Sequence, residues 1–313
     1  MKCNKTRSLA SAAFLAGALM AASPASQALQ QRGAPACRAE HAPGLSLHTL
    51  VSGGRERHYL AYIPRSNDGT RPAPAVIDLH GSGSNPEEEL MVNGMASEAE
   101  REGFLVLLPV AAVEFPLGGY TWNVPVRPGL PDDVGFVRDV MDDAAVRLCI
   151  DQQRVYVTGF SGGARLASQV ACQLADRVAA LGAVGGLRRP EGCAPARAVP
   201  VIAFHGTADP VNPCMGGGPA YWGYGVDAAL RAWLERNRCP LQVSPERLAP
   251  SVVRYWFRSC DGTADVVFYR LEGAGHVWPG SGFAFPVERF GAMNAEVSAT
   301  REMVAFFRRQ AIP

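Results

Sequence analysis

The run Arg154-Val155-Tyr156-Val157-Thr158-Gly159-Phe160-Ser161-Gly162-Gly163-Ala164 changes its period in the middle. Residues 154–158 are mostly β-branched and aromatic, as a short buried strand requires, while residues 162–174 place apolar side chains every three to four positions, as a helix does. Between them Gly-Phe-Ser-Gly-Gly must turn the chain sharply. The glycines let the backbone close and leave the Ser161 hydroxyl projecting from the turn. A serine held between a strand and a helix in this way is the setting of an activated nucleophile. The plain alternative is a glycine-rich turn whose serine caps the helix. The strand before it and the helix after it weigh toward the nucleophile.

The same alternation extends in both directions. Apolar runs at 75–79, 104–108, 179–184, 201–204 and 266–271 predict further strands, and periodic stretches at 133–148, 226–238 and 294–310 predict helices. Val134, Val137, Val140 and Met141 form one helical stripe, with Asp132 or Asp133 available as its N-cap. Strands alternating with helices predict an α/β class chain, with a mostly parallel central sheet and helices on both faces in a single domain. Residues 45–51 and 58–63, joined through Ser52-Gly53-Gly54, predict a hairpin ahead of the parallel part. The Pro- and Gly-rich stretches at 124–131 and 210–225 predict the loops that wall a cleft.

A serine hydroxyl needs a base to take its proton and a carboxylate to hold that base in the right tautomer. In an open sheet of this kind the partners follow in the order Ser, Asp or Glu, His. Asp209 follows the strand 201–204 in His205-Gly206-Thr207-Ala208-Asp209-Pro210, and His276 follows the strand 266–271 in Glu272-Gly273-Ala274-Gly275-His276-Val277-Trp278-Pro279-Gly280. Both stand at carboxyl ends of strands, on the edge where Ser161 stands. An Asp before Pro also forms ordinary turns, and Asp227 is a rival acid, although it sits inside the helical pattern 226–238. Of six histidines only His80, His205 and His276 fall at strand ends, and only His276 lies after the acid. Ser161, Asp209 and His276 are therefore the expected catalytic residues. The N–H of Gly162 and that of Ser82, in His80-Gly81-Ser82-Gly83-Ser84 after the strand 75–79, are the expected oxyanion donors. His80 is expected to support that loop rather than act as a base.

Other chemistries are excluded by what is missing. Lys2 and Lys5 are the only lysines, and both lie in a segment read below as a leader. That leaves no residue for a Schiff base, a Ser-Lys dyad or a phosphate-binding lysine. No H-x-H, H-E-x-x-H or Cys-x-x-Cys spacing occurs, so neither a metal nor another cofactor is expected. Residues 1–7 are basic and 8–22 are small and apolar, and Ser26-Gln27-Ala28 offers a small-x-small cleavage site. This predicts a signal peptide over 1–28 and one exported domain over 29–313, released to a periplasm or beyond the cell. The apolar run is shorter than the roughly 20 residues that span a bilayer, and Cys3 precedes it, so no lipid anchor is expected. Losing Lys2, Lys5 and Arg7 removes three positive charges and takes the formal charge from +1 to −2. A near-neutral chain predicts no nucleic-acid or membrane partner, only a small or oligomeric substrate.

Seven of the eight cysteines remain after such cleavage: Cys37, Cys149, Cys172, Cys193, Cys214, Cys239 and Cys260. An odd number leaves at least one thiol unpaired within the chain. Cys172 with Cys193 and Cys239 with Cys260 each close a loop of roughly 20 residues, for which loop-closure entropy gives about 3 kcal/mol. Both are predicted disulfides, and Cys149 is a candidate partner for Cys37.

Five strings together resemble one family: His80-Gly81-Ser82, Asp132-Asp133-Val134-Gly135-Phe136, the run from Arg154 to Ala164, His205-Gly206-Thr207-Ala208-Asp209, and Gly275-His276-Val277-Trp278-Pro279-Gly280. They are similar to those of secreted polyhydroxybutyrate-depolymerase-like and feruloyl-esterase-like serine esterases, of the α/β-hydrolase superfamily, and they extend over most of the chain after residue 28. The resemblance implies an α/β-hydrolase fold and cleavage of carboxylic esters, either polyhydroxybutyrate-type oligoesters or feruloyl esters of plant cell walls. It places Ser161, Asp209 and His276 on the family's triad, and it implies pairing of Cys239 with Cys260. Cys214 stands where relatives often carry an aromatic residue, which marks it as the expected leftover thiol. Larger polymer depolymerases append a linker and a binding domain after the last helix; their absence here favours soluble or oligomeric esters. Trp278, Trp122, Tyr221 and Trp222 are candidates for an aromatic substrate wall, with packed core as the alternative. An acyltransferase using the same triad and a non-catalytic binding protein on the same fold remain open.

Overall fold

Alternating burial along the strands sorts the apolar side chains into two cores. The computed structural model describes residues 41–189 and 192–313. Strand β3 (Ala73–Leu79) sends Ala75, Ile77 and Leu79 into one core and Val76 into the other. Strand β9 (Val201–Gly206) divides Val201 and Ala203 from Ile202 and Phe204 in the same way. This is the period of two expected of a strand. Apolar side chains on both faces mean that the sheet is covered on both sides.

Among the described residues the sheet has ten strands. With β1 (Gly44–Ser52), β2 (Arg55–Ile63), β4 (Leu105–Pro109), β7 (Ile150–Gly159), β8 (Ala180–Val184), β10 (Glu246–Ala249), β11 (Val252–Phe257) and β12 (Val266–Leu271), its order is β1-β2-β4-β3-β7-β8-β9-β12-β11-β10. The six strands from β4 to β12 in that order are parallel, and the two at each edge are antiparallel. A separate two-stranded ladder joins β5 (Val113–Glu114) to β6 (Tyr120–Thr121). One face is covered by α3 (Asp133–Arg147), α4 (Gly162–Gln173) and α5 (Val226–Arg236), which bury Phe136, Val170 and Trp233 among others. The opposite face carries α1 (Pro86–Asn93), α2 (Met95–Glu102) and α7 (Ala299–Phe307), through Val92, Ala99 and Phe306. A short α6 (Val287–Phe290) lies on the surface. This is the expected single α/β domain. None of the helices among the described residues is long and apolar enough to cross a membrane.

The sequence misplaces a few elements for identifiable reasons. Helices α1 and α2 carry no expectation, because Leu90-Met91-Val92 are consecutive rather than periodic and Gly94 divides the segment at φ 66°. Asn85 caps α1 by accepting from Glu88 N–H, with Pro86 in the first turn. The last helix starts later than residue 294 because Ser298 caps it, accepting from Arg301 N–H. Strand β11 escapes notice because Arg254 interrupts its apolar run.

Both predicted disulfides form, Cys172–Cys193 and Cys239–Cys260. Cys214 corrects an expectation: it is disulfide-bonded, as is Cys149, and no described cysteine is a free thiol. It is also buried, at 4% exposure, so standing where relatives often carry an aromatic residue does not mark it as the leftover sulfur. Cys37 and the expected signal peptide over 1–28 lie outside the described residues.

Candidate active site

The turn from β7 to α4 is built by close approach. Ser161 adopts φ 53°, the left-handed region that only a firmly held non-glycine residue occupies. Its N–H donates to Val184 O at 2.9 Å and its carbonyl accepts from Arg165 N–H at 3.1 Å. A Cβ at residue 163 would lie 1.8 Å from Leu79 O, and one at residue 159 would lie 2.6 Å from the same atom. Glycine at these positions is what lets β7 hand the chain to α4 against β3.

Asp209 and His276 meet at the adjacent strand ends. Asp209 Oδ2 and His276 Nδ1 are 2.7 Å apart, with the two residues 4% and 2% exposed. Asp209 Oδ1 accepts from the N–H groups of Val211 and Asn212 at 2.9 and 2.7 Å. Burial works to raise the Asp209 carboxyl, but the His276 hydrogen bond and charge, the nearby His205 and the Asn212 N–H outweigh it and hold the group below its ordinary value. His276 therefore faces an ionised acceptor, which fixes its Nδ1 as the protonated nitrogen and leaves Nε2 as the basic one. The ring stacks on Phe160, the neighbour of Ser161, at 4.9 Å. Ser161 Oγ makes no hydrogen bond to His276 here, and such bonds commonly tighten only around a substrate.

A second histidine, His205, also lies beside the acid. Its Nε2 lies 2.9 Å from Asn212 O and 3.5 Å from Asp209 Oδ2, and its ring stacks on Trp222. Burial lowers its pKa. A neutral His205 donates to Asn212 O and ties down the loop whose N–H groups hold Asp209.

The Ser82 loop sits against Gly162. A Cβ at residue 162 would lie 3.2 Å from Ser82 N and 2.3 Å from Ser82 Oγ, so glycine there keeps open the space between the two expected oxyanion donors. Ser82 Oγ is bonded to Thr121 Oγ1 at 2.6 Å. His80 is the expected support. Its Nδ1 donates to Gly81 O, its Nε2 accepts from Ala111 N–H, and burial pulls its pKa to about 4. Beneath the loop, Glu89 Oε2 accepts from Gly81 N–H at 3.3 Å, and Asn93 Nδ2 donates to Asp78 Oδ2 at 2.6 Å. Both carboxyls are fully buried. Burial raises Asp78 to about 7, and burial with the charge of Asp78 raises Glu89 as well.

The aromatic candidates divide. Trp278, Trp122 and Trp222 are at most 2% exposed, with indole N–H groups bonded to Thr300 Oγ1, His80 O and Pro213 O. As placed they are packed core, and they offer no face to a substrate. Tyr221 is half-buried and lies over Arg165. The sequence missed a second group: Phe283, Phe285 and Phe290, all half-buried, form an edge-to-face cluster that reaches Phe160 and His276. Three phenylalanines within eight residues, just after the histidine loop, were the available signal. Among the described residues no group of three or more His, Cys, Asp or Glu could hold a metal ion.

No family model matches the chain. It is 29% identical over 234 residues to feruloyl esterase B of Piromyces equi, an alignment covering 70% of this chain and 42% of that one. It is 27% identical over 281 residues to NocK of Nocardia uniformis subsp. tsuyamanensis, named as an esterase, covering 82% and 80%. It is 26% identical over 209 residues to the bifunctional acetylxylan esterase/xylanase XynS20E of Neocallimastix patriciarum, covering 65% and 29%. The chain thus spans less than half the length of two of these relatives. In fold it is similar to an acetyl xylan esterase from Aspergillus awamori, with TM-score 0.54 at 14% identity over 74% of this chain and 94% of that one. A thermostable esterase gives TM-score 0.53 at 16% identity, over 85% and 63%. In fold the chain is thus similar to solved esterases, and in sequence it is similar to a feruloyl esterase and to an acetylxylan esterase/xylanase, in line with the resemblance carried by its motifs.

Proposed function

We propose that the protein is an exported serine hydrolase of carboxylic esters, acting by two-step acyl transfer. Ser161 attacks the ester carbonyl while His276 Nε2 takes its proton, and Asp209 stabilises the imidazolium that forms. The N–H groups of Gly162 and Ser82 hold the tetrahedral oxyanion. His276 returns the proton to the leaving alcohol, and water then frees the acid by the same path. The observation that carries this reading is the buried 2.7 Å contact between Asp209 and His276 beside the positive-φ serine. Esterase relatives and esterase fold neighbours support ester hydrolysis in general. The names of two relatives favour feruloyl or acetylxylan esters, and the motifs leave polyhydroxybutyrate-type oligoesters as the second substrate class. Two disulfides support export to an oxidising compartment.

The test is hydrolysis of p-nitrophenyl acetate and butyrate, methyl ferulate and soluble 3-hydroxybutyrate oligomers by the purified protein, with Ser161→Ala in parallel. Loss of about 10⁴-fold or more in kcat is expected for the variant. Undiminished turnover in a folded Ser161→Ala protein discards the mechanism.

A further inference from the structure

Arg165 lies in the first turn of α4, four residues after Ser161, and is 7% exposed. Its Nη1 donates to Val124 O at 3.1 Å and its Nη2 to Ser82 Oγ at 3.3 Å, and the guanidinium stands 4.1 Å over the Tyr221 ring. The same Nη2 is 3.3 Å from the position a Cβ on Gly162 would take, a position itself 3.2 Å from Ser82 N. The cation therefore borders the proposed oxyanion hole.

Three features oppose a charge at this place. The site is desolvated, Arg188 adds a second positive charge nearby, and the start of a helix carries the positive end of its dipole. Burial draws the Arg165 pKa down only to about 10, so the group stays a cation at neutral pH. No carboxylate among the described residues pairs with it. The contrast with Arg57 is direct: that guanidinium is also buried, but it meets Asp133 at 3.0 Å. Two of the five N–H donors of Arg165 have protein acceptors, and its Nε is buried without one. A buried cation kept without a counter-charge is expected where a ligand supplies that charge.

We propose that Arg165 is a carboxylate-binding point of the cleft and that the substrate is an ester bearing a free carboxylate; this rests on the ester-hydrolase reading above. A carboxylate suits the planar fork of the guanidinium, gives acceptors to its remaining N–H groups, and gains from the α4 N-terminus. The rival occupant is the transition-state oxyanion itself, which every ester presents.

Two matched substrate pairs separate these cases. Monomethyl against dimethyl succinate, corrected for its two ester groups, places the carboxylate on the acyl side. A linear 3-hydroxybutyrate dimer against its methyl ester, with cleavage of the internal ester bond scored in both, places it on the alcohol side. The wild type is expected to favour the acid of one pair by about 10-fold or more in kcat/KM, and Arg165→Gln to bring that ratio to about one, with Arg165→Lys between. The ratio cancels any loss common to both members, including the loss of the contact with Ser82. Ser161-dependent cleavage without preference for either acid overturns the proposal while leaving the esterase reading intact. A preference undiminished in Arg165→Gln also overturns it, as does an equal fall for acid and neutral esters. If no ester is cleaved in a Ser161-dependent way, the esterase reading fails and the proposal fails with it. Should Arg165→Gln not fold, the wild-type ratios and the Arg165→Lys ratios decide.

Discussion

Replacing Asp78 by Asn should make the stability of this protein less dependent on pH. Asp78 is fully buried in β3, one oxygen accepts from Asn93 Nδ2 at 2.6 Å, and the other has no partner. Burial raises its carboxyl from 3.8 to about 7. At about 1.4 kcal/mol per unit, the shift corresponds to on the order of 4 kcal/mol. Because the folded-state value is raised, the stabilising proton is fully retained below about pH 4, and its contribution is lost as pH rises to about 7. Asn preserves the shape and the acceptor for Asn93 and carries no charge. The difference in unfolding free energy, variant minus wild type, should thus grow by up to about 4 kcal/mol between pH 4 and 8, or about 8 °C in Tm at roughly 2 °C per kcal/mol. Glu89 shares the site and is raised partly by Asp78, so Asp78→Asn/Glu89→Gln should be flatter still. Denaturant unfolding of all three proteins across that range is the assay. A variant-to-wild-type difference that stays constant from pH 4 to 8 refutes the argument that Asp78 is a costly buried carboxylate.

Gly163→Ala should lower both stability and turnover, since its Cβ would lie 1.8 Å from Leu79 O, a backbone atom of a central strand; thermal unfolding should show a loss of several degrees or no folded protein, and an unchanged Tm would refute the packing. Asp209→Asn should leave the fold in place but lower kcat by on the order of 10³- to 10⁴-fold, because the amide no longer holds His276 in the productive tautomer; steady-state kinetics with p-nitrophenyl butyrate checks this, and a loss below about 10-fold moves the orienting role to another acid.

The parts of this chain legible in the sequence are those in which local periodicity and tertiary role coincide. Strand β12 is legible at 266–271 and spans Val266–Leu271, because its apolar run is bounded by turn residues and both its faces are buried. The meeting of Asp209 with His276 at 2.7 Å could be expected because strand ends in a parallel sheet share one edge, so chain order and strand position together imply proximity. Nothing comparable marks Arg165. A single arginine in a helical stripe reads as solvated surface until the loops of Ser82, Val124 and Tyr221 are seen to close over it. Asp78 carried a weaker signal, an acid inside the apolar run Ala75-Val76-Ile77-Asp78-Leu79, but its partners Glu89 and Asn93 come from a helix with no clear period.

The tryptophans show why residue type misled where position did not. Trp278 lies two residues past His276, and a large aromatic so close to a catalytic loop suggests a substrate wall. Burying so large an apolar surface is also how a small loop is fixed to a core, and the bond from Trp278 Nε1 to Thr300 Oγ1 anchors the His276 loop to α7. Trp122 does the same for the Ser82 loop through His80 O, and Trp222 stacks on the His205 that holds the Asp209 loop. Each tryptophan thus stands behind one member of the proposed site. The aromatic side chains left partly open beside His276 are phenylalanines, which have no polar atom to satisfy and can remain at a wet apolar surface when a tryptophan is used to tether the loop beneath it.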